Sequence, residues 1–503
     1  MFILSASKEF RRIARPAHSG GIGHRIFPYA ADKQPGFARP SRTVLHGLPL
    51  WLRWLLVAGS LGFALPDCVA VPSFARQMNM ECIACHTEFP ILTAFGRQFK
   101  LSGYSLSTDQ TELPPVAIMV MPSFTHTRAG QDGGAAPGFG NNNNFAVDQT
   151  SIFYAGRLFG PYATKWFGPE VSSVLNKIGV FSQTTYDGVG KAWSWDNTEV
   201  RFADAGTVEG HDATYGFYLN NNPTFQDPWN STPAWGFPFS GSGLAPAPAA
   251  ATLVNGGLAG QVAGLGAYAM IDHSVYLDVG AYRTLSPGFQ RSVGVDPSAE
   301  TQIAGLAPYW RLAYTKPAGN GTYEVGVFGL AARTYPGRDE SSGQDRITDI
   351  GLDSEFQESV GKNDFTALVS VIHEHARWDA SQALGNTANG SDSLTEFKAT
   401  GDYLWDKTYG GAVQYFATSG TSDAMAYSSS QTGSPDSDGF ILQVNYLPFN
   451  KNTGPSFWPR STVKLSLQFV FYNRFDGSTT NIDGAGRSAR DNNTLYLQAW
   501  IVF

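Results

Sequence analysis

Leu495-Tyr-Leu-Gln-Ala-Trp-Ile-Val-Phe503 is the stretch whose reading decides the fold. Leu495, Leu497, Ala499, Ile501 and Phe503 alternate out to a C-terminal phenylalanine, the last-strand pattern typical of bacterial outer-membrane barrels. The same period of two runs upstream. Val463, Leu465, Leu467, Phe469 and Phe471 face one way, and Lys464, Ser466 and Gln468 face the other. Tyr323, Val325 and Val327, and Val275, Leu277 and Val279, belong to similar segments. Turn signals fall between them, among them Pro317-Ala-Gly-Asn-Gly321, Pro336-Gly337 and Asp438-Gly439.

A barrel accounts for the composition. Only 15% of the 503 residues are charged, against about 25% in ordinary globular chains, while 13% are aromatic and 55 are glycine. Apart from one run near the N-terminus, no stretch approaches the roughly 20 apolar residues of a membrane helix. Three cysteines are too few for a disulfide scaffold, and the aromatic content excludes a disordered chain. Strands with an apolar lipid side and a polar lumen side keep total charge low without a continuous apolar run. At some 20–27 residues per strand and loop, 116–503 predicts roughly 14–18 antiparallel strands, with 16 the best value, around a water-filled lumen. Long irregular stretches at 137–144, 220 to about 251, 335–349, 381–393 and 419–439 are expected on the exterior rim. No internal repeat is evident.

Residues 1–70 read as a secretory signal peptide. They carry nine Lys/Arg against three acids, then an apolar run, 49–64, and a small-residue exit at Cys68-Val-Ala70. The basic part is over-long, which predicts a true translation start near Val44. Cleavage after Ala70 would leave 26 Lys/Arg against 39 Asp/Glu, a net charge of −13. Nucleic acid is therefore not an expected partner, whereas cations are.

Cleavage would also remove Cys68 and leave two cysteines, both in Met80-Glu-Cys82-Ile-Ala-Cys85-His86. Two thiols three residues apart can reach the two vinyl groups of a haem, and the adjacent histidine can bind its iron. Cys82 and Cys85 are the expected thioether attachments of one haem c, and His86 the expected proximal ligand. A redox dithiol would need a βαβ setting and a zinc site a second ligand pair, and neither is visible. Phe89-Pro90 should end the first helical turn. Ile91, Leu92, Phe95 and Phe99 then recur at helical spacing, with Gly96 allowing close approach and Gly103 stopping the helix. Met80 is the first choice for the sixth ligand. Met78, Met119, Met121, His126 and an open or water-bound site remain alternatives. Residues 71–115 are thus expected to form a small α-helical monohaem segment within the lumen of the 116–503 barrel.

Weaker patterns remain. His373-Glu-His375 puts two imidazoles on one strand face, spaced to share a metal, but the end of an apolar alternation there makes them better read as rim residues. Asp339, Glu340, Asp345 and Asp349 are acidic loop residues that could attract ferrous ions. No glycine-rich piece stands in a βαβ context, and no Ser/His/Asp triad is visible.

Cys-Ile-Ala-Cys-His, Pro72-Ser-Phe-Ala-Arg-Gln77, Phe95-Gly-Arg-Gln-Phe-Lys-Leu-Ser-Gly-Tyr104, Ala307-Pro-Tyr-Trp-Arg-Leu312, Gly433-Ser-Pro-Asp-Ser437 and Asp491-Asn-Asn-Thr-Leu-Tyr-Leu497 resemble the fused monohaem cytochrome–porins of the outer membrane, best known from iron-oxidising bacteria. The resemblance spans essentially all of 71–503, and the over-long N-terminus and Met78 depart from it. It implies an electron-transfer protein that takes electrons from extracellular Fe(II), or another external donor, and passes them to a periplasmic c-type cytochrome or cupredoxin. Three alternatives compete: a porin whose haem segment is a plug or sensor, an outward electron conduit, and a haem peroxidase, which lacks a visible distal His/Arg pair.

Overall fold

The structure is a computed structural model and describes residues 73–108, 114–298, 302–451 and 461–503. The expected signal peptide lies outside the described residues.

Sixteen long strands make up the wall. They run as β1 (Val116–Thr127), β2 (Asn144–Arg157), β3 (Ile178–Asp187) and β4 (Ala192–Val208). Next come β5 (His211–Asn220), β6 (Val262–Ile271), β7 (Val275–Thr284) and β8 (Ala307–Ala318). The third group is β9 (Gly321–Tyr335), β10 (Asp345–Val360), β11 (Asn363–Arg377) and β12 (Ser391–Trp405). The last is β13 (Tyr409–Gly420), β14 (Ser437–Tyr446), β15 (Thr462–Arg474) and β16 (Thr494–Val502). Each pairs antiparallel with its sequence neighbours, and β1 also pairs with β16, Met119 opposite Val502 and Thr127 opposite Thr494. The sheet therefore closes and leaves no edge, the condition for strands to cross hydrocarbon.

The alternation read from the sequence is the orientation observed. On β15, Leu465 and Phe469 point outward, while Lys464, Ser466 and Gln468 are buried on the lumen side. The outer face is apolar around the circumference, with Phe217, Leu265, Val279, Leu352, Val369, Val444 and Leu497 all exposed. One rim carries two-residue turns at 209–210, 319–320 and 361–362, and the first of these, Glu209-Gly210, holds both φ angles positive, at 48° and 88°. Beside that rim, stacked outward aromatics Trp405, Tyr409 and Tyr446 form part of a girdle, with ring centroids 5.6 and 5.3 Å apart. The opposite rim carries most of the longer connections, although 158–177 lies on the first rim. A closed antiparallel barrel with this outer face spans the Gram-negative outer membrane.

One expectation about the loops fails. The 221–261 connection leaves the long-loop rim and folds back into the lumen, with Phe225, Trp229, Trp235, Phe237 and Phe239 buried. Five large apolar side chains would be costly in water, and Asp227 makes the return possible by accepting from the backbone N–H groups of Trp229, Ser231 and Thr232.

Candidate functional site

The described residues before β1 form three short helices, α1 (Ser73–Met78), α2 (Cys82–Cys85) and α3 (Ala94–Leu101). The stretch expected to be one helical stripe is split. Ile91 and Leu92 precede α3, because His86 and Leu92 pair as an extended bridge and Thr93 caps the helix by accepting from Gly96 N at 3.1 Å. Thr93 also donates to Ala84 O at 2.7 Å, which ties α3 to α2. Gly96 makes that contact feasible: a Cβ there would lie 2.2 Å from the Cys85 carbonyl oxygen. Gly103, at φ +66°, ends the helix.

This segment lies inside the barrel, bonded to inward-facing side chains on several sides of the wall. Arg97 pairs with Glu355 of β10 at 2.6 Å, and Glu88 with Lys464 of β15 at 2.6 Å. Tyr104 donates to Glu199 of β4 at 2.9 Å, and Arg201 donates to the Lys100 carbonyl at 2.9 Å. These pairs are almost wholly buried, so each charge depends on its partner.

Cys82, Cys85 and His86 open on one cavity. Its other walls come from the segment itself (Phe74, Phe89, Leu92, Phe99), from the barrel (Phe153, Phe181) and from the infolded loop (Asn230, Trp235). The lining is mostly apolar, and its one basic amine is Lys100. The two cysteines are not joined to each other. Burial pushes the Cys82 thiol up to about 12 and the Cys85 thiol up to about 11, the reverse of a reactive dithiol. Burial also pushes the His86 imidazole down to about 4, against the opposing carbonyls of Pro90 and Ile91, so the ring is neutral. Its Nδ1 is buried without a hydrogen-bond partner. Two thiols and a neutral imidazole on an apolar cavity are the donor set that covalent haem attachment needs.

The other expected ligands stand apart. Met80 is 37% exposed and does not line the cavity. Met78 packs on the surrounding core, Met119 and Met121 are buried in β1, and His126 bonds Asn143 at 2.8 Å near the far rim. In the sequence, Lys100 on a short helix reads as part of a solvated face. Only the tertiary structure buries it, between Asp227 O at 2.5 Å and Asn230 Oδ1 at 2.9 Å. Burial pushes its ammonium down to about 7, with Asp227 opposing.

Two weaker patterns resolve differently from each other. His373 and His375 point outward, as rim residues should, while Glu374 between them points in and accepts from Leu253 N at 2.6 Å. Among the described residues no group of three or more His, Cys, Asp or Glu is placed to hold a metal ion. Asp345 and Asp349 are buried rather than free in a loop. Asp345 accepts from the backbone N–H groups of Ala380 and Ser381, and Asp349 accepts from Val254 N at 2.6 Å. Both begin β10, where the lumen claims them as anchors. Asp339 and Glu340 remain at the outer rim.

A second cavity lies on the other part of the infolded loop, between Pro238–Asn255 and the walls of β12 to β16. Trp235 lines the first cavity and Pro238 the second, so the loop contributes to both.

No protein-family model and no curated protein matches the chain. Solved structures that align with 77% of it include an anion-selective porin from Comamonas acidovorans, at 12% identity over 98% of that chain with a TM-score of 0.41. Pseudomonas putida OprB aligns over 93% of its chain at 11% identity and a TM-score of 0.40, and the outer membrane channel DcaP of Acinetobacter baumannii over 96% at 10% and 0.39. Likeness at this level adds nothing to the barrel read directly from strand pairing.

Proposed function

We propose that this chain is an outer-membrane electron-transfer protein that carries one haem c on Cys82 and Cys85, with His86 as proximal iron ligand. The observation that carries the reading is the convergence of those three side chains on one apolar cavity inside a closed barrel. The apolar lining excludes water, Gly96 lets α3 pack on the attachment turn, and the buried ion pairs hold the segment against the wall. A bound haem would take up and release one electron at a time. The substrate reaction is loss of one electron from extracellular Fe(II), giving Fe(III), with the electron leaving to a periplasmic c-type cytochrome or cupredoxin. An apolar band about 25 Å tall is too thick for one haem to carry an electron across by itself, so on this reading Fe(II) approaches the lumen from the loop side and the periplasmic partner docks below.

The test is reduction of the purified protein by Fe(II), followed by absorbance. Failure of Fe(II) to reduce it at any pH would overturn the donor assignment. The barrel itself favours a second reading, a channel with a haem-bearing plug. Bilayer conductance separates the two, since an electron conduit filled by the segment and loop passes little current and a channel passes much. The midpoint potential decides direction: a high value suits Fe(II) oxidation, and a low one suits export of electrons.

A further inference from the structure

We infer that α4 (Ala163–Leu175), the helix between β2 and β3, lies in the periplasmic leaflet of the outer membrane with its apolar side chains among the lipids. The connection that holds it, 158–177, stands on the rim of the two-residue turns, which is the periplasmic rim of such a barrel. None of its residues lines the cavity of Cys82, Cys85 and His86.

The helix is turned the wrong way for water. Trp166, Phe167, Val171 and Val174 are 60%, 43%, 50% and 56% exposed, whereas the residues it buries are Ala163 and Ser172. Ala163 and Thr164 line a polar cavity with Arg76, Arg157 and Asn176, so the small and polar side faces the mouth of the lumen. Gly168, at φ 78°, and Pro169 kink the helix. Thr164 Oγ1 donates to Ser172 Oγ at 3.1 Å across the kink and joins the two halves on the buried side. Beyond the kink, Val171 and Val174 are three residues apart and share a face. Before it, Trp166 stacks on Tyr162 with ring centroids 5.1 Å apart, and Phe159 lies 4.8 Å from Phe167.

Lipid is the occupant that suits this surface, because the surface continues the lipid-facing wall. Ile152 is exposed on the outer face of β2, and Tyr154 follows on the same face. The Tyr154 hydroxyl donates to Leu158 O at 2.5 Å, where the connection to the helix begins. Aromatic rings collect at a membrane–water boundary, and Trp405, Tyr409 and Tyr446 mark that boundary beside the same rim. Lys165, exposed next to Trp166, has the reach to bring its ammonium to lipid phosphate. A soluble electron partner comes and goes, and a site for it would leave these large apolar side chains in water between visits. Lipid covers them throughout.

The experiment uses the full-length protein reconstituted into vesicles of phosphatidylethanolamine and phosphatidylglycerol. A nitroxide is attached in turn to Val171→Cys, Val174→Cys, Glu170→Cys and Ser173→Cys, with heat-modifiable gel mobility as the check of folding. Unsubstituted protein taken through the same labelling gives the background from Cys82 and Cys85. Power-saturation electron paramagnetic resonance compares collision with oxygen, which concentrates in lipid, and with a nickel chelate held in the water on both sides. The expected result is oxygen access several-fold above nickel access at 171 and 174, and the reverse at 170 and 173. Nickel access at 171 and 174 equal to that at 170 and 173 puts the face in the periplasm, as a site for a soluble partner would be, and overturns the inference. Low access to both reagents at 171 and 174 means that protein covers the face, as in contact with a second copy of the chain, and overturns it too.

Discussion

Two stretches fill the lumen, and the wall holds them through different groups. The segment 73–108 reaches out to the wall with side chains, Arg97 to Glu355 and Glu88 to Lys464 among them. The loop 221–261 is gripped by the wall instead. Carboxylates of β12, β11 and β10 accept the successive backbone N–H groups of Thr252, Leu253 and Val254, from Glu396, Glu374 and Asp349 at 2.5 to 2.6 Å. The difference teaches how irregular backbone survives inside a membrane protein. Around the short helices the wall donates to exposed carbonyls, Arg201 to Lys100 O, Gln357 to Leu92 O and Lys464 to Phe89 O, whereas the irregular loop borrows acceptors for its N–H groups.

That comparison can be broken or sharpened by mutation. The largest effect belongs to the helical segment. Replacing both Cys82 and Cys85 with Ser abolishes covalent haem entirely while the barrel still folds, as read by haem stain and by heat-modifiable gel mobility. Haem that survived the double substitution would end the attachment argument. Gly96→Ala is next. With its Cβ 2.2 Å from the Cys85 oxygen, α3 must lift from the attachment turn, and haem yield falls several-fold at unchanged barrel yield.

The loop responds through stability and leak. Arg311 donates to Asp353 at 2.6 Å and to Glu324 at 3.0 Å, and stands 3.4 Å from Asp227 of the loop. Arg311→Met leaves these buried carboxylates without their cation, costs about 3–5 kcal/mol in denaturant unfolding, and raises bilayer conductance. Glu374→Ala removes the acceptor of Leu253 N and costs about 1–3 kcal/mol, with Glu374→Gln milder because it still accepts. An equal loss in both variants would mean that charge, not acceptance, holds the loop. The smallest effect is at the neighbouring positions: His373→Ala and His375→Ala stay within about 0.5 kcal/mol, since both rings face outward at the rim.

The sequence by itself determined the wall and pointed to the chemistry proposed for the segment. Alternation from Val463 to Phe471 sorts lipid-facing from lumen-facing residues because a strand turns successive side chains to opposite faces, and no distant contact is needed to see it. The Cys82–His86 run is equally local, since the haem attachment proposed for it depends only on spacing within one turn. Tertiary structure alone decided what fills the lumen. An inside-out barrel reverses the usual meaning of polarity: Lys100, Arg97, Asp349 and Glu374 look like solvated residues in a linear reading, yet each is buried against a partner more than 90 residues away. The 221–261 loop looked like an exterior loop for the same reason. Whether Asp227 faces water or three peptide N–H groups is settled only when the chain folds back on itself.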